Sequence, residues 1–201
     1  MKRVRSLASY ALLATGAVLL FQGARFIIEA RFGQEQAARE FETARHAPGE
    51  ETRNAKPGDT IARMAIPRLH MDLYVVEGDD SEDLRRGPGH MSGTAMPGAT
   101  GNCVIAGHRD THFRALKDVR RGDDIIIQTK AGQFLYRVER TNIVPPTDTR
   151  SLQPTRASEL NLITCYPFYY VGSAPERFVV QAQLAGSVAV DSSQSGSAGG
   201  A

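Results

Sequence analysis

The 201-residue sequence holds only two cysteines, Cys103 and Cys165. Two are too few for a disulfide framework or a cysteine-ligated zinc site. It also lacks a marked charge of either sign: the net charge is +2, a balance that names no partner. Its lysines and arginines are scattered, with no basic stripe interleaved with aromatics, which argues against a nucleic-acid partner. Internal repeats are absent, and no helical stretch is placed to build a regular βαβ series. Metal binding has little to stand on. His108 and His112 have i, i+4 spacing, but Gly107 and Asp110-Thr111 favour a turn there, and no metal or other cofactor is expected.

One long apolar run is present. After Lys2, Arg3 and Arg5, the stretch from Leu7 to Phe21 is apolar, and Ser6 to Ala24 approaches the ~20 residues that a helix needs to cross the hydrocarbon core. A cleaved signal peptide shares this layout, but Gln22-Gly23-Ala24 is a poor cleavage site and the following sequence continues as helix. Residues 1–24 are therefore expected to be a cytoplasmic basic tip and a single-pass membrane anchor. Basic residues ahead of the span put the N-terminus in the cytoplasm and the remainder outside. Residues 25–59 read as a helical stalk, with an apolar stripe too weak for a core helix and a weak interior position at Gly33. A Pro/Gly linker follows from Ala47. Residues 60–184 carry the folded domain, and the Ser/Gly/Ala-rich residues 185–201 are expected to be disordered.

Within 60–184 the pattern is of short strands and little helix. Ile61–Ile66 alternates as a strand ended by Pro67, and Leu73–Val76 follows. Ser81 is placed to cap a helical turn through Arg86, and Gly87-Pro88-Gly89-His90 breaks the chain. Cys103–Ala106 reads as a buried strand. Thr111–Val119 reads as a short helix with Phe113 and Leu116 inward. Asp124–Thr129 and Gln133–Val144 form a hairpin, Pro145–Ser158 is a long polar connection, and Leu160–Thr164 and Arg177–Leu184 complete the set. The fold class is mainly β, a barrel or a sandwich.

Cys165 ends an apolar strand that Pro167 stops, so it is a nucleophile candidate, with a buried structural thiol as the alternative. His108 also follows a short apolar strand, behind Gly107, and is the base candidate; a turn residue bonded to backbone is its alternative. His112 competes as the base from the expected helix, while His46, His70 and His90 read as solvated. Arg177 opens the final strand a short loop after Cys165. Its fixed fork of donors suits a developing oxyanion, although a strand-end arginine paired with Glu176 or with solvent would look the same.

Thr164-Cys165, Gly107-His108-Arg109-Asp110 and Arg177-Phe178-Val179-Val180 together resemble a sortase, a membrane-anchored cysteine transpeptidase of bacterial surfaces. The resemblance extends from about Thr60 to Leu184 and takes in Pro97-Gly98, Gly101-Asn102, Phe113–Leu116 and Leu162–Phe168. It is greatest to class D, with the Gram-negative type next. It implies the eight-stranded sortase β-barrel with short helices, and His108, Cys165 and Arg177 as the catalytic residues. It further implies thiolate attack on the Thr–Gly bond of an L-P-x-T-G-like sorting signal, a thioacyl-enzyme, and transfer to an amine acceptor such as a peptidoglycan precursor or a pilin lysine. Thr164 matches the family's threonine beside the nucleophile, and the Tyr166 N–H is placed to assist the oxyanion.

On the parallel pairing that the family fold implies, Cys103 lies about 15 Å from the active edge, too far for a disulfide. Asp79, Asp80, Glu82 and Asp83 read as the start of a helical turn and not as the family's calcium site. Tyr169-Tyr170-Val171-Gly172 is an insert ahead of Arg177. The alternatives are a hydrolytic cysteine peptidase of the same fold and a non-catalytic, membrane-tethered binding module. An L,D-transpeptidase fits less well, because Cys165 lacks that family's flanking His and Gly.

Overall fold

A computed structural model describes residues 2–45, 55–170 and 172–189. Eight strands close into a barrel in the order β1-β2-β3-β4-β7-β8-β6-β5. They are β1 (Thr60–Ile66), β2 (Met71–Glu77), β3 (Gly89–His90), β4 (Gly101–Gly107), β5 (Asp124–Gln128), β6 (Gly132–Val144), β7 (Ser158–Tyr166) and β8 (Glu176–Ala189). The mainly β reading and the barrel are both present. Alternation drives closure: in β5, Ile125 and Ile127 are buried while Asp124, Ile126 and Gln128 are half-buried. The inward sets, among them Met64, Ile105, Tyr136, Leu160, Leu162 and Val180, meet in one core. Each strand has a neighbour on both sides, although β3 is so short that it pairs with β2 at Val76 and Glu77 alone.

Two pairings are parallel, β2 with β3 and β4 with β7. The second defines one end of the barrel, where β4 and β7 finish and β8 begins. The hairpin of β5 and β6 turns at the opposite end, where Gly132 pairs with Ala189.

The N-terminal segment differs from expectation. A single helix, α1, runs over Lys2–Arg45, and its second half is packed on the barrel. Ala30, Gly33, Gln34, Ala37, Ala38, Phe41 and Ala44 are buried or half-buried, a helical stripe at i, i+3 and i+4 built mostly from small residues. Small side chains carry little hydrophobic weight, so the stripe reads as weak in sequence, yet they let the helix come close. A Cβ on Gly33 would stand 2.7 Å from Arg86 Cα. The Gln34 side chain donates to the Tyr74 and Arg86 carbonyls and accepts from Tyr74 N–H. Phe41 packs against Tyr74, and Glu40 pairs with Arg86 and accepts from Thr60.

Tyr10, Leu12, Leu13, Val18, Leu19, Leu20 and Phe21 of the first half are exposed. No helix among the described residues is long and apolar enough to cross a membrane, so the crossing helix expected over 6–24 is unsupported by the structure. His46 and residues 46–54 of the expected linker lie outside the described residues.

The short helix α2 (Asp83–Arg86) is capped by Asp80, whose carboxylate accepts from Glu82 and Asp83 N–H, and Ser81 has no part in it. His90 is buried in β3, not solvated, because Glu77 faces it across the β2–β3 pair and binds its ring at 2.7 Å. The tail expected to be disordered from Ala185 is strand as far as Ala189, since β6 is long enough to pair with it. Residues 190–201 lie outside the described residues.

Candidate active site

The site is set by register. Gly107 stands opposite Thr164 in the parallel β4–β7 pair, so His108, just past the end of β4, comes next to Cys165, which is still in β7. β8 returns antiparallel and puts Arg177 directly opposite Cys165. Leu160 and Leu162 point into the core, so the two-residue period turns Cys165 to the outer face. Opposed residues of an antiparallel pair share a face, which brings Arg177 to the same side. All three are half-buried, open enough to meet a substrate and sheltered enough to exclude some water.

Thr164 is buried, and its hydroxyl donates to the Gly107 carbonyl at 2.7 Å. This bond ties together the two strand ends that carry Cys165 and His108. Tyr166 turns inward and stacks on Phe178 at 6.3 Å, with Phe168 edge-on at 6.0 Å, an aromatic floor beneath the rim. The Arg177 guanidinium donates to the carbonyls of Ala174 and Glu176 at 3.3 and 3.0 Å. It makes no ion pair with a carboxylate among the described residues, so its charge is not consumed by Glu176.

The other histidines and the second cysteine separate from this group. His112 is buried and is not on a helix; the 3-10 turn begins later, at Arg114. Burial, with the neighbouring His108 charge adding to it, pushes its imidazole down to about 4, against opposing pulls from the Ala30 backbone and Asp110. His70 is exposed at the turn after β1. Cys103 faces the core, and burial, followed by the Glu77 charge, pushes its thiol far up.

Sequence reasoning missed one structural support. Asn161, on the outer face of β7, donates to Asn102 at 2.6 Å, and Asn102 donates to the Ser151 and Gln153 carbonyls. This chain fixes the β6–β7 connection against the sheet. The signal was two asparagines in otherwise apolar strands, legible only once β4 and β7 are paired.

The family model described as Sortase domain matches residues 64–185. The chain belongs to the sortase family. This sortase is 35% identical over 185 residues to sortase D of Bacillus subtilis (strain 168), covering 84% of this chain and 93% of that protein. A Clostridium perfringens sortase D5 transpeptidase shares its fold with a TM-score of 0.69 and 29% identity, over 77% of this chain and 99% of the other. The catalytic domain of B. anthracis SrtD aligns with a TM-score of 0.60 at 29% identity, over 72% and 99%. The likeness is to class D, as the motifs indicated, and the activity is that of a sortase transpeptidase.

Proposed function

We propose that this sortase uses Cys165 as nucleophile, His108 as acid and base, and Arg177 as oxyanion donor, on a protein substrate bearing an L-P-x-T-G-like sorting signal. The observation that carries the assignment is the direct Cys165–Arg177 opposition, with His108 emerging from the parallel neighbour beside it. The thiol proton passes to His108, and Sγ attacks the threonine carbonyl carbon, forming a C–S bond and an oxyanion. Arg177 and the Tyr166 N–H donate to that oxygen. Collapse breaks the C–N bond, the departing glycine amine takes the proton from His108, and a thioacyl-enzyme remains. An acceptor amine then attacks the thioester and gives a proton to His108. The C–S bond breaks, and sulfur leaves with the electron pair as a new amide forms. Thr164 keeps the two strand ends in register throughout.

The same proposal places the chemistry at the cell membrane, with the catalytic barrel outside and the N-terminus in the cytoplasm. The exposed apolar side chains of α1 and the basic residues ahead of them support it. Topology adds to this: α1 lies near His112 at Ala30, at the site end of the barrel, and reaches Thr60 at the other end with Glu40. Its apolar half therefore leaves the barrel on the side where the site opens.

The test is turnover of an L-P-x-T-G peptide with an amine acceptor by the full-length chain. Cys165→Ala is expected to reduce ligated product to background, while Cys103→Ala retains activity within about twofold, as a thiol without contact to the reacting atoms should. Equal losses from both substitutions would overturn the assignment, and release of free acid without ligation would make water the acceptor. Separating membranes from soluble protein in the same preparation checks the location; recovery of the full-length chain only in the soluble fraction would refute the anchor.

A further inference from the structure

Cys165 and Arg177 are joined by one short connection, and its carbonyls are held in a regular way. Arg177 donates to those of Ala174 and Glu176. Arg109, the residue after His108, donates through Nη2 to those of Tyr170 and Gly172 at 2.7 and 3.1 Å. Alternate carbonyls from 170 to 176 are thus taken by two guanidinium groups, one on the His108 loop and one on β8. The Tyr170 ring lies 5.8 Å from Arg109 Cζ, within cation–π range. Arg109 Nη1 is buried with no hydrogen-bond partner among the described residues. Arg109 is half-buried, and both bonds lie at the exposed surface of the connection.

The two arginines differ in what substrate asks of them. On the proposed mechanism Arg177 turns its donors toward the oxyanion, which weakens its hold on Ala174 and Glu176. Arg109 has no such second duty. We infer that Arg109 is a positioning residue of this sortase: it fastens the β7–β8 connection to the His108 loop, so that this wall of the site keeps its place when Arg177 engages the substrate. The inference rests on the Arg177 role proposed above. Arg109 acts through the loop and touches none of the reacting atoms, so its loss should loosen substrate binding more than it slows bond making.

The experiment uses the full-length chain, an L-P-x-T-G peptide and a saturating amine, with amide hydrogen exchange measured on the same variants. Arg109→Ala removes two charge-assisted hydrogen bonds and is expected to raise KM about tenfold with kcat changed less than about threefold. Exchange should quicken over residues 168–175 and nowhere in the strands. Arg109→Lys keeps the charge without the fork and should recover part of the KM loss. Tyr170→Ala leaves both carbonyl acceptors in place and should cost less than Arg109→Ala.

Unchanged KM and unchanged exchange in Arg109→Ala would overturn the inference. So would a kcat loss as deep as that of His108→Ala, which would put Arg109 among the reacting groups. Faster exchange throughout the barrel with a lowered Tm would reduce it to a stability contact. If Cys165→Ala kept its turnover the mechanism itself would fall, and the exchange measurement, which needs no substrate, would still report on the latch alone.

Discussion

Cys103 and Cys165 stand on adjacent parallel strands, Cys103 opposite Leu160 and Cys165 five residues further along β7. They differ in face and in height. Cys103 points into the core, where burial and the Glu77 charge both disfavour its thiolate. Cys165 points outward at the rim, opposite a guanidinium. The histidines divide in the same way. His90 is sealed between Glu77 and the Ala95 carbonyl, and His112 is buried and driven toward neutrality, while His108 stands half-buried beside Cys165. The barrel therefore holds one set of polar groups sealed in its interior and another at the rim that is open to a substrate. Residue type does not separate them; strand parity and distance along the strand do.

The deepest way to probe that contrast is at Arg177. Arg177→Gln keeps hydrogen-bond donors but removes the charge and the fork, and kcat should fall about 10²- to 10³-fold, the scale of losing one oxyanion donor. The Tm should move little, because among the described residues the side chain donates to backbone carbonyls at a strand start and to nothing else. A variant that loses stability and keeps its turnover would assign Arg177 to the structural set instead.

His112 tests the border between the two regions. Its folded value, about 4, lies below the ordinary 6.5. Between those values the unfolded chain binds a proton that the folded protein excludes. Stability therefore falls as pH is lowered from 6.5 toward 4, by about 3 kcal/mol at most. His108 and Asp110 are the titratable groups facing it, with the Ala30 backbone of α1. In urea unfolding, His112→Leu should gain on the parent protein progressively across that window. A difference that stays constant with pH would show that His112 titrates equally in both states.

These contrasts explain what the sequence could and could not convey. Cys165, His108 and Arg177 were legible because each sits at a strand end marked by Pro167, by Gly107 or by the start of an apolar run. Glu77 and His90 were not, since the strand that pairs them, β3, is only two residues long and carries no periodicity. The docking of α1 was hidden for a different reason. Apart from Phe41, its contact stripe is mostly alanine and glycine, with Gln34 saturating the Tyr74 backbone, so close approach stands in for most of the large apolar residues that mark a buried helix. Arg109 was visible as part of a motif but had no role until the β7–β8 connection was seen to fold back over it.

The smallest expected effect belongs to the interior pair, and it bears on how independent the two regions are. Burial raises the Glu77 carboxyl, but hydrogen bonds from His90 and Ser92, each at 2.7 Å, and the His90 charge more than offset this and leave it below its ordinary 4.5. A carboxylate lowered in this way stabilises the fold above 4.5, and that stabilisation is lost as pH falls through its folded value. Glu77→Gln preserves shape and should cost about 1–2 kcal/mol near neutrality, a penalty that shrinks once the parent carboxyl is protonated in acid. Turnover should stay within about twofold, because His90 lies opposite Ile105, on the inward face of β4, whereas His108 falls on the other parity, past the end of that strand. If turnover instead fell in step with stability across that pH range, strain would be passing from the interior along β4 to His108. The interior would then share in positioning the base, and the two regions would have to be treated as one site.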